Sequence, residues 1–247
     1  KHTYYVAKAL TKNAYAKNHT VTFNYNGATG GNTEKTRNKN FSFNSWNSIA
    51  NGGGNRYTDG QSVVNLASTQ GAIVNLYAQW NIPTYGELPK PTRNYTVTYN
   101  HNYTGSTDTT AISTYVFGGW FKESGLTNVV NNATQVPANN HTLYAKWTGG
   151  SIVLETPVRT GYIFGGWYKE AACTNKVGNA GASFSPTTSD ITLYAKWTPI
   201  AYEIKYNGNG ATSGSMANSK HTYDVAKALT KNAYAKNHTV TFNYNGA

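Results

Sequence analysis

Apolar and polar residues alternate with a period of two in four segments of the chain: TVTFNYNGA at 20–28, YTVTYNHN at 95–102, YEIKYNGNG at 202–210 and TVTFNYNGA again at 239–247. Alternation of this kind turns one face of an extended strand to a core and the other to water. Each segment runs into an Asn-rich turn, where Asn and Gly accept the positive φ of tight hairpins, so the pattern predicts β-hairpin arms. Leu, Ala and Trp also alternate with Tyr and with Lys or Gln in LYAQW, LYAKW and LYAKW, which end at Trp80, Trp147 and Trp197. These predict further strands with one buried face. One segment breaks the rhythm: in VAKALTKNAY at 225–234, Val225, Ala228, Leu229 and Ala233 fall three and four residues apart. That spacing predicts a short helix there and in its copy at 6–15.

The chain repeats at two scales. Residues 1–28 recur at 220–247 with a single difference, Tyr5 against Asp224, at an offset of 219 residues. Separated segments agree to this degree when a long unit is duplicated, so the chain reads as a window slightly longer than one period of a tandem array. The six tryptophans expose the shorter repeat. Phe43 and Trp46 in FNSW, Phe117 and Trp120 in FGGW, and Phe164 and Trp167 in FGGW are each followed, 27 to 34 residues after the Trp, by the Trp of an LYAxW strand. Loops of varying length between fixed elements are how small repeated domains behave.

The organisation follows from these marks. Residues 1–18 are the C-terminal part of a half-module, a copy of 220–237. Residues 19–84 are a repeat module, and 85–93, within a stretch carrying three of the seven prolines, form a stiff connector. Residues 94–148 and 149–199 are two further modules, the latter lacking an arm. Residues 200–237 are a half-module with an arm but no FxxW or LYAxW, and 238–247 are the first strand of the next module.

Composition supports the β reading. Aromatic residues make up 14% of the 247, with 20 Tyr and 6 Trp, against 13% charged residues. A chain so rich in rings is not disordered. A module of this size buries only about 60% of its unfolded surface, so its stability rests on rings that each bury about 150 to 250 Å². The glycines of FGGW leave room beside the rings or permit a bulge. The formal net charge of +11 attracts anionic polymers or surfaces without specificity. Cys173, the single cysteine, excludes an intrachain disulfide framework. No run approaches the roughly 18 apolar residues of a membrane span, and the first residues lack the apolar core of a signal peptide, so any export signal or anchor is expected outside this stretch.

GYIFGGWYKEAACTNKV at 161–177 followed by ITLYAKWTP at 191–199, and VFGGWFKESGLTNVV at 116–130 followed by HTLYAKWTGG, resemble the Listeria-Bacteroides repeat family, related to the B-type repeats of internalin surface proteins. FSFNSWNS at 41–48 with VNLYAQW at 74–80 fits more loosely, because Asn44 and Ser45 replace the small pair. The resemblance implies a fold that is mainly β, built of small α+β, β-grasp-like modules in tandem as beads on a string or a filament. It implies a secreted or wall-attached bacterial protein without enzyme activity, and it places Phe117, Trp120, Leu143 and Trp147, with Phe164, Trp167, Leu193 and Trp197, in the module cores.

The residues offer little catalytic chemistry. Carboxylates are scattered one or two per module, and the six histidines form no HxH or HxxxH pair. Cys173 in AACTNK has no evident His partner and reads as a loop or core residue rather than a nucleophile. NGGGN at 51–55 and NGNGATSGS at 207–215 lack the Lys-Ser/Thr ending of a phosphate loop and read as turns. Lys35, Arg37 and Lys39 alternate along one strand face, where edge protection is favoured over polyanion binding. Asn18, Asn40, Asn94, Asn102, Asn132 and Asn140 begin Asn-x-Ser/Thr triplets, acceptors in a glycosylating host. No catalytic, cofactor-binding or metal site and no cofactor is expected, and neither specific nucleic acid nor membrane insertion.

Two functions fit. The first is a structural or adhesive tandem-repeat region of a bacterial extracellular or cell-surface protein, a stalk or self-associating filament whose partners are neighbouring repeats or copies of the same chain, joined head to tail. The alternative is a surface module that binds carbohydrate, through tyrosines stacked on sugars, or acidic polymers.

Overall fold

The computed structural model describes residues 5–246, and among them every regular element is a β-strand. The helix expected at 225–234 does not form, and in the copy at 6–15 Lys8–Ala9 instead pairs antiparallel with Ser62–Val63. The physical reason is burial. A helix so short is marginal in water without a packed face, and Val225 and Leu229 are 56% and 63% exposed. The helical component of the expected α+β module is thus missing from the described residues, which form mixed β-sheets.

The chain divides into two compact units. The first draws on residues up to Asn94 and on Thr114–Gly150, the second on Tyr95–Ser113 and on residues from Ser151 onward.

In the first unit, β1 (Lys17–Asn24) pairs antiparallel with the leading half of β2 (Thr36–Asn47), and the trailing half of β2 pairs antiparallel with β3 (Tyr77–Asn81). Alternation in β1 sends Val21 and Phe23 inward, 0% and 5% exposed. Of β4 (Pro91–Asn100) and β5 (Thr109–Phe121), residues 91–94 and 114–121 belong to this unit. β6 (His141–Gly149) lies antiparallel to β5, with Trp147 opposite Phe117, and parallel to β1, with Leu143 opposite Phe23. The core gathers Val21, Phe23, Tyr85, Trp120 and Leu143.

The second unit repeats this plan. β7 (Tyr162–Tyr168) is antiparallel to β8 (Ile191–Pro199), with Phe164 opposite Trp197, and β8 is parallel to β4, with Leu193 opposite Tyr99. Val97, Tyr99, Leu154, Trp167, Leu193 and Ala195 make the core. β9 (Ala201–Ile204) and β10 (Ser219–Thr222) form a separate antiparallel hairpin.

The FGGW glycines make bulges. Register shifts between Phe164 and Gly166, where Gly166 has φ 114° and a Cβ would meet the Gly178 carbonyl at 2.8 Å. The bulge turns Trp167 inward to full burial. FNSW keeps the shift, between Phe43 and Ser45. Trp120 and Trp167 are the deep rings, whereas Phe117, Trp147, Phe164 and Trp197 are partly buried against the cores.

Arms pair with distant partners. The arm strand at 17–24 lies beside the LYAKW strand of 141–149, and the arm at 95–100 lies beside that of 191–199. Residues 151–199, which carry no arm in sequence, receive one from β4. By contrast β3, the LYAQW strand, has only β2 as strand partner among the described residues.

Candidate functional site

The feature that recurs in both units is the seat of an arm on an LYAKW strand. Parallel pairing of β1 with β6 sets the register, and three polar bonds pin it. Asn140 Oδ1 accepts from the Thr20 amide at 2.9 Å, Trp147 Nε1 donates to the Tyr25 carbonyl at 2.9 Å, and Asn26 Nδ2 donates to the Ala145 carbonyl at 2.7 Å. On β8 the same three recur. The Thr96 amide donates to Asp190 Oδ1 at 2.7 Å, Trp197 Nε1 to the His101 carbonyl at 2.7 Å, and Asn102 Nδ2 to the Ala195 carbonyl at 3.2 Å.

The arm is shaped for this before any partner is counted. In each seated arm the second Asn of an Asn-x-Asn triplet has positive φ, 47° at Asn26 and 59° at Asn102. Its amide donates to the side chain of the first Asn, Asn24 at 3.0 Å and Asn100 at 2.8 Å. This local Asx turn aims the second carboxamide at the neighbouring strand.

Rings complete the seat. Phe23 and Tyr25 stand 5.0 and 5.2 Å from Trp120, and Tyr99 stands 4.7 Å from Trp167, in edge-on or tilted geometries. The two tryptophans of each repeat therefore have different duties. The FGGW indole donates to the segment leading into its repeat, Trp120 to the Pro89 carbonyl at 2.8 Å and Trp167 to the Glu155 carbonyl at 2.9 Å. The LYAKW indole donates to the arm.

The LYAQW repeat lacks this closure. Leu76 is half-buried where Leu143 and Leu193 are 0% exposed. Trp46 Nε1 is buried without a hydrogen-bond partner. Two arms are correspondingly unseated. Asn209 and Asn245 carry the same Asx turns, at 2.9 and 3.1 Å, with φ of 44° and 32°. In the last arm Val240 and Phe242 are 71% and 72% exposed, although their copies Val21 and Phe23 are core. The expected strand at 238–247 is thus not formed among its described residues.

Cys173 sits at a turn with φ 52°, the place that Leu126 takes at φ 55° in the preceding repeat. Its thiol lies 3.7 Å from the Ala195 carbonyl and from Asn102 Nδ2, and burial pushes its pKa up, opposite to what a nucleophile needs. Glu123 and Glu170 brace the same turn in the two repeats: Glu123 Oε1 accepts from the Thr127 and Asn128 amides at 2.8 and 2.7 Å, and Glu170 Oε1 from those of Thr174 and Asn175 at 2.8 and 2.6 Å. Arg37 is engaged internally with Glu34 and with the Glu87 carbonyl, and burial lowers the pKa of Lys39, so the basic strip is partly built in. Gly52 and Gly54 lie in a turn held by Asn47, which is 3% exposed. Among the described residues no three His, Cys, Asp or Glu side chains gather to hold a metal, and no helix is long and apolar enough to cross a membrane.

From the sequence alone Asn102 and Asn140 stand out as glycosylation triplets and Asn26 and Asn102 as turn residues, while Asp190 is one of the scattered carboxylates; none is marked as a clamp. Their signal lies in the recurrent Asn-x-Asn and in the side-chain acceptor two residues ahead of TLYAKW.

Residues 86–146 and 149–196 match the sequence profile of the Listeria-Bacteroides repeat domain. A protein of Evansella cellulosilytica named "Putative Gly-rich membrane protein" is 27% identical over 207 residues, covering 71% of this chain. This chain spans 23% of the length of that relative. No solved structure matches.

Proposed function

We propose, from the premise that this chain carries two Listeria-Bacteroides repeat domains, that it is a non-catalytic mechanical spacer on the outside of a bacterial cell, a stalk or filament in which copies continue head to tail. The observation that carries this reading is the seating of arms at a distance. The Trp147 indole reaches back 122 residues to Tyr25 and the Trp197 indole 96 residues to His101, so repeats are tied along the chain by exchanged strands rather than each closing on itself. Pulling on such an array loads parallel backbone ladders and buried rings together. β-grasp-like modules fit this plan, with the arm as the parallel strand. The test is light scattering and negative-stain electron microscopy over a concentration series. Strings with a regular repeat are expected, and a uniformly monomeric chain overturns the filament.

A second reading, binding of glycans or acidic polymers, draws on the net charge of +11. Salt-sensitive retention on heparin or a polysaccharide column favours it. Passage through both columns at low salt removes it.

A further inference from the structure

We infer that the arm at 202–209 of one copy of this chain seats in a second copy on the free edge of β3 and on residues 74–76 that lead into it, parallel to them, extending that strand and closing the unfinished LYAQW repeat. The inference rests on the head-to-tail reading above and supplies its joint.

Each 219-residue period holds three arms, at 20–28, 95–102 and 202–210, and three LYAxW strands. Two arms and two strands are matched within the chain. One of each remains. Both seated arms precede the repeat they complete, 20–25 serving 141–149 and 95–101 serving 191–199. The arm at 202–209 follows β3 in its own chain and precedes it only when another copy comes next.

The unmatched arm already holds part of its seat. Seated arms rest on the segment that leads into the repeat they complete: the Asn94 amide donates to Thr29 Oγ1 at 2.9 Å, just past the arm. The unseated arm makes the same bond at the same place, from the Asn237 amide to Thr212 Oγ1 at 3.0 Å, and Tyr234 adds its hydroxyl to the Tyr206 carbonyl at 3.0 Å. The segment it holds, 225–237, is identical to 6–18, which leads into the LYAQW repeat. One copy of this lead sits with the arm and the other with the strand, so docking unites arm and strand on one lead and releases the other.

The chemistry then follows the two seats already occupied. Their register places Ile204 beside Val74, Lys205 beside Asn75 and Tyr206 beside Leu76. The Trp80 indole meets the Gly208 carbonyl, and Asn209, its Asx turn already formed, meets the Ala78 carbonyl. Ile73 stands where Asn140 and Asp190 accept an amide, so this seat lacks that one bond. Donor-strand addition of this kind draws its affinity from main-chain bonds and its register from alternate side chains, and heterologous contacts of this kind propagate as filaments.

The test is disulfide trapping in a Cys173→Ala background. Lys205→Cys with Asn75→Cys probes the proposed pair, and Thr22→Cys with Thr142→Cys serves as the control for a seated arm. The control pair is expected to close within one chain, reporting that the background folds. The probe pair is expected to give a ladder of covalently linked chains, reduced about tenfold in yield by Asn209→Ala. Closure of the probe pair within a single chain overturns the inference. Head-to-tail strings by microscopy with no probe cross-link overturn this joint while leaving the filament standing, and a monomer with no cross-link removes both.

Discussion

The indole Nε1 of Trp147 donates to the carbonyl of Tyr25, 122 residues earlier in the chain, across an intervening FNSW and LYAQW. Beside it Asn26 donates to Ala145. Trp147→Phe keeps the ring and loses the bond, for an expected loss of about 1 kcal/mol in urea unfolding. Asn26→Ala is expected to cost about 2 kcal/mol, because it also leaves at φ near 47° a residue without the polar side chain that makes Asn tolerant of this conformation. Two neutral results mean that the arm is not held as described.

The FxxW indoles divide by their partners. Trp167 is 0% exposed, and Trp167→Ala is expected to destabilise the second unit by about 3 to 5 kcal/mol. Trp120→Phe abandons the bond to Pro89 and is expected to cost about 1 kcal/mol more than Trp46→Phe, whose indole proton is buried without a partner. Thermal melts of the three variants decide this ranking.

The carboxyl of Glu123 is held down to about 2, chiefly by the Thr127 hydroxyl and then by the Asn128 amide, and Glu170 is lowered in the same way by Thr174 and Asn175. Because the folded value lies below the unfolded one, the turn is braced at all pH above the usual carboxylate range and released as pH falls toward 2. Carboxyl-carbon NMR titration is expected to show both groups titrating low, and Thr127→Val is expected to raise the Glu123 midpoint alone.

Burial pushes the Tyr85 phenol up to about 12, and its hydroxyl lies 2.8 Å from His141 Nε2. Here the folded value exceeds the unfolded one, so the contribution is complete below about pH 10 and is lost as pH rises through 12. Ultraviolet titration should find the Tyr85 phenolate among those that form late, beside Tyr25 and Tyr99, which burial also raises, and with unfolding of the first unit. Tyr85→Phe is expected to reduce the late amplitude by one phenol.

Much of the fold is legible in the residues themselves. Alternation in TVTFNYN and in LYAKW marks strands with one buried face because strand geometry is local, and the burial of Val21, Phe23, Leu143 and Leu193 follows it. The FGGW bulge is legible for the same reason, since two adjacent glycines announce a backbone that side chains disfavour. The helix at 225–234 is misread because spacing reports an apolar stripe and says nothing of whether a surface exists to cover it. Cys173 reads as a loop or core residue from the sequence, and the structure adds that Leu126 takes the same turn in the sister repeat.

The repeats, their strands and their aromatic anchors are thus determined by the sequence alone, through short-range sterics and periodicity. Which arm completes which repeat is decided only in three dimensions. All four arms carry nearly the same alternation and the same Asn-x-Asn turn, so any of them satisfies any LYAxW edge locally. The choice is made by chain reach and by the segment each arm rests upon, quantities that exist only once the strands are placed in space.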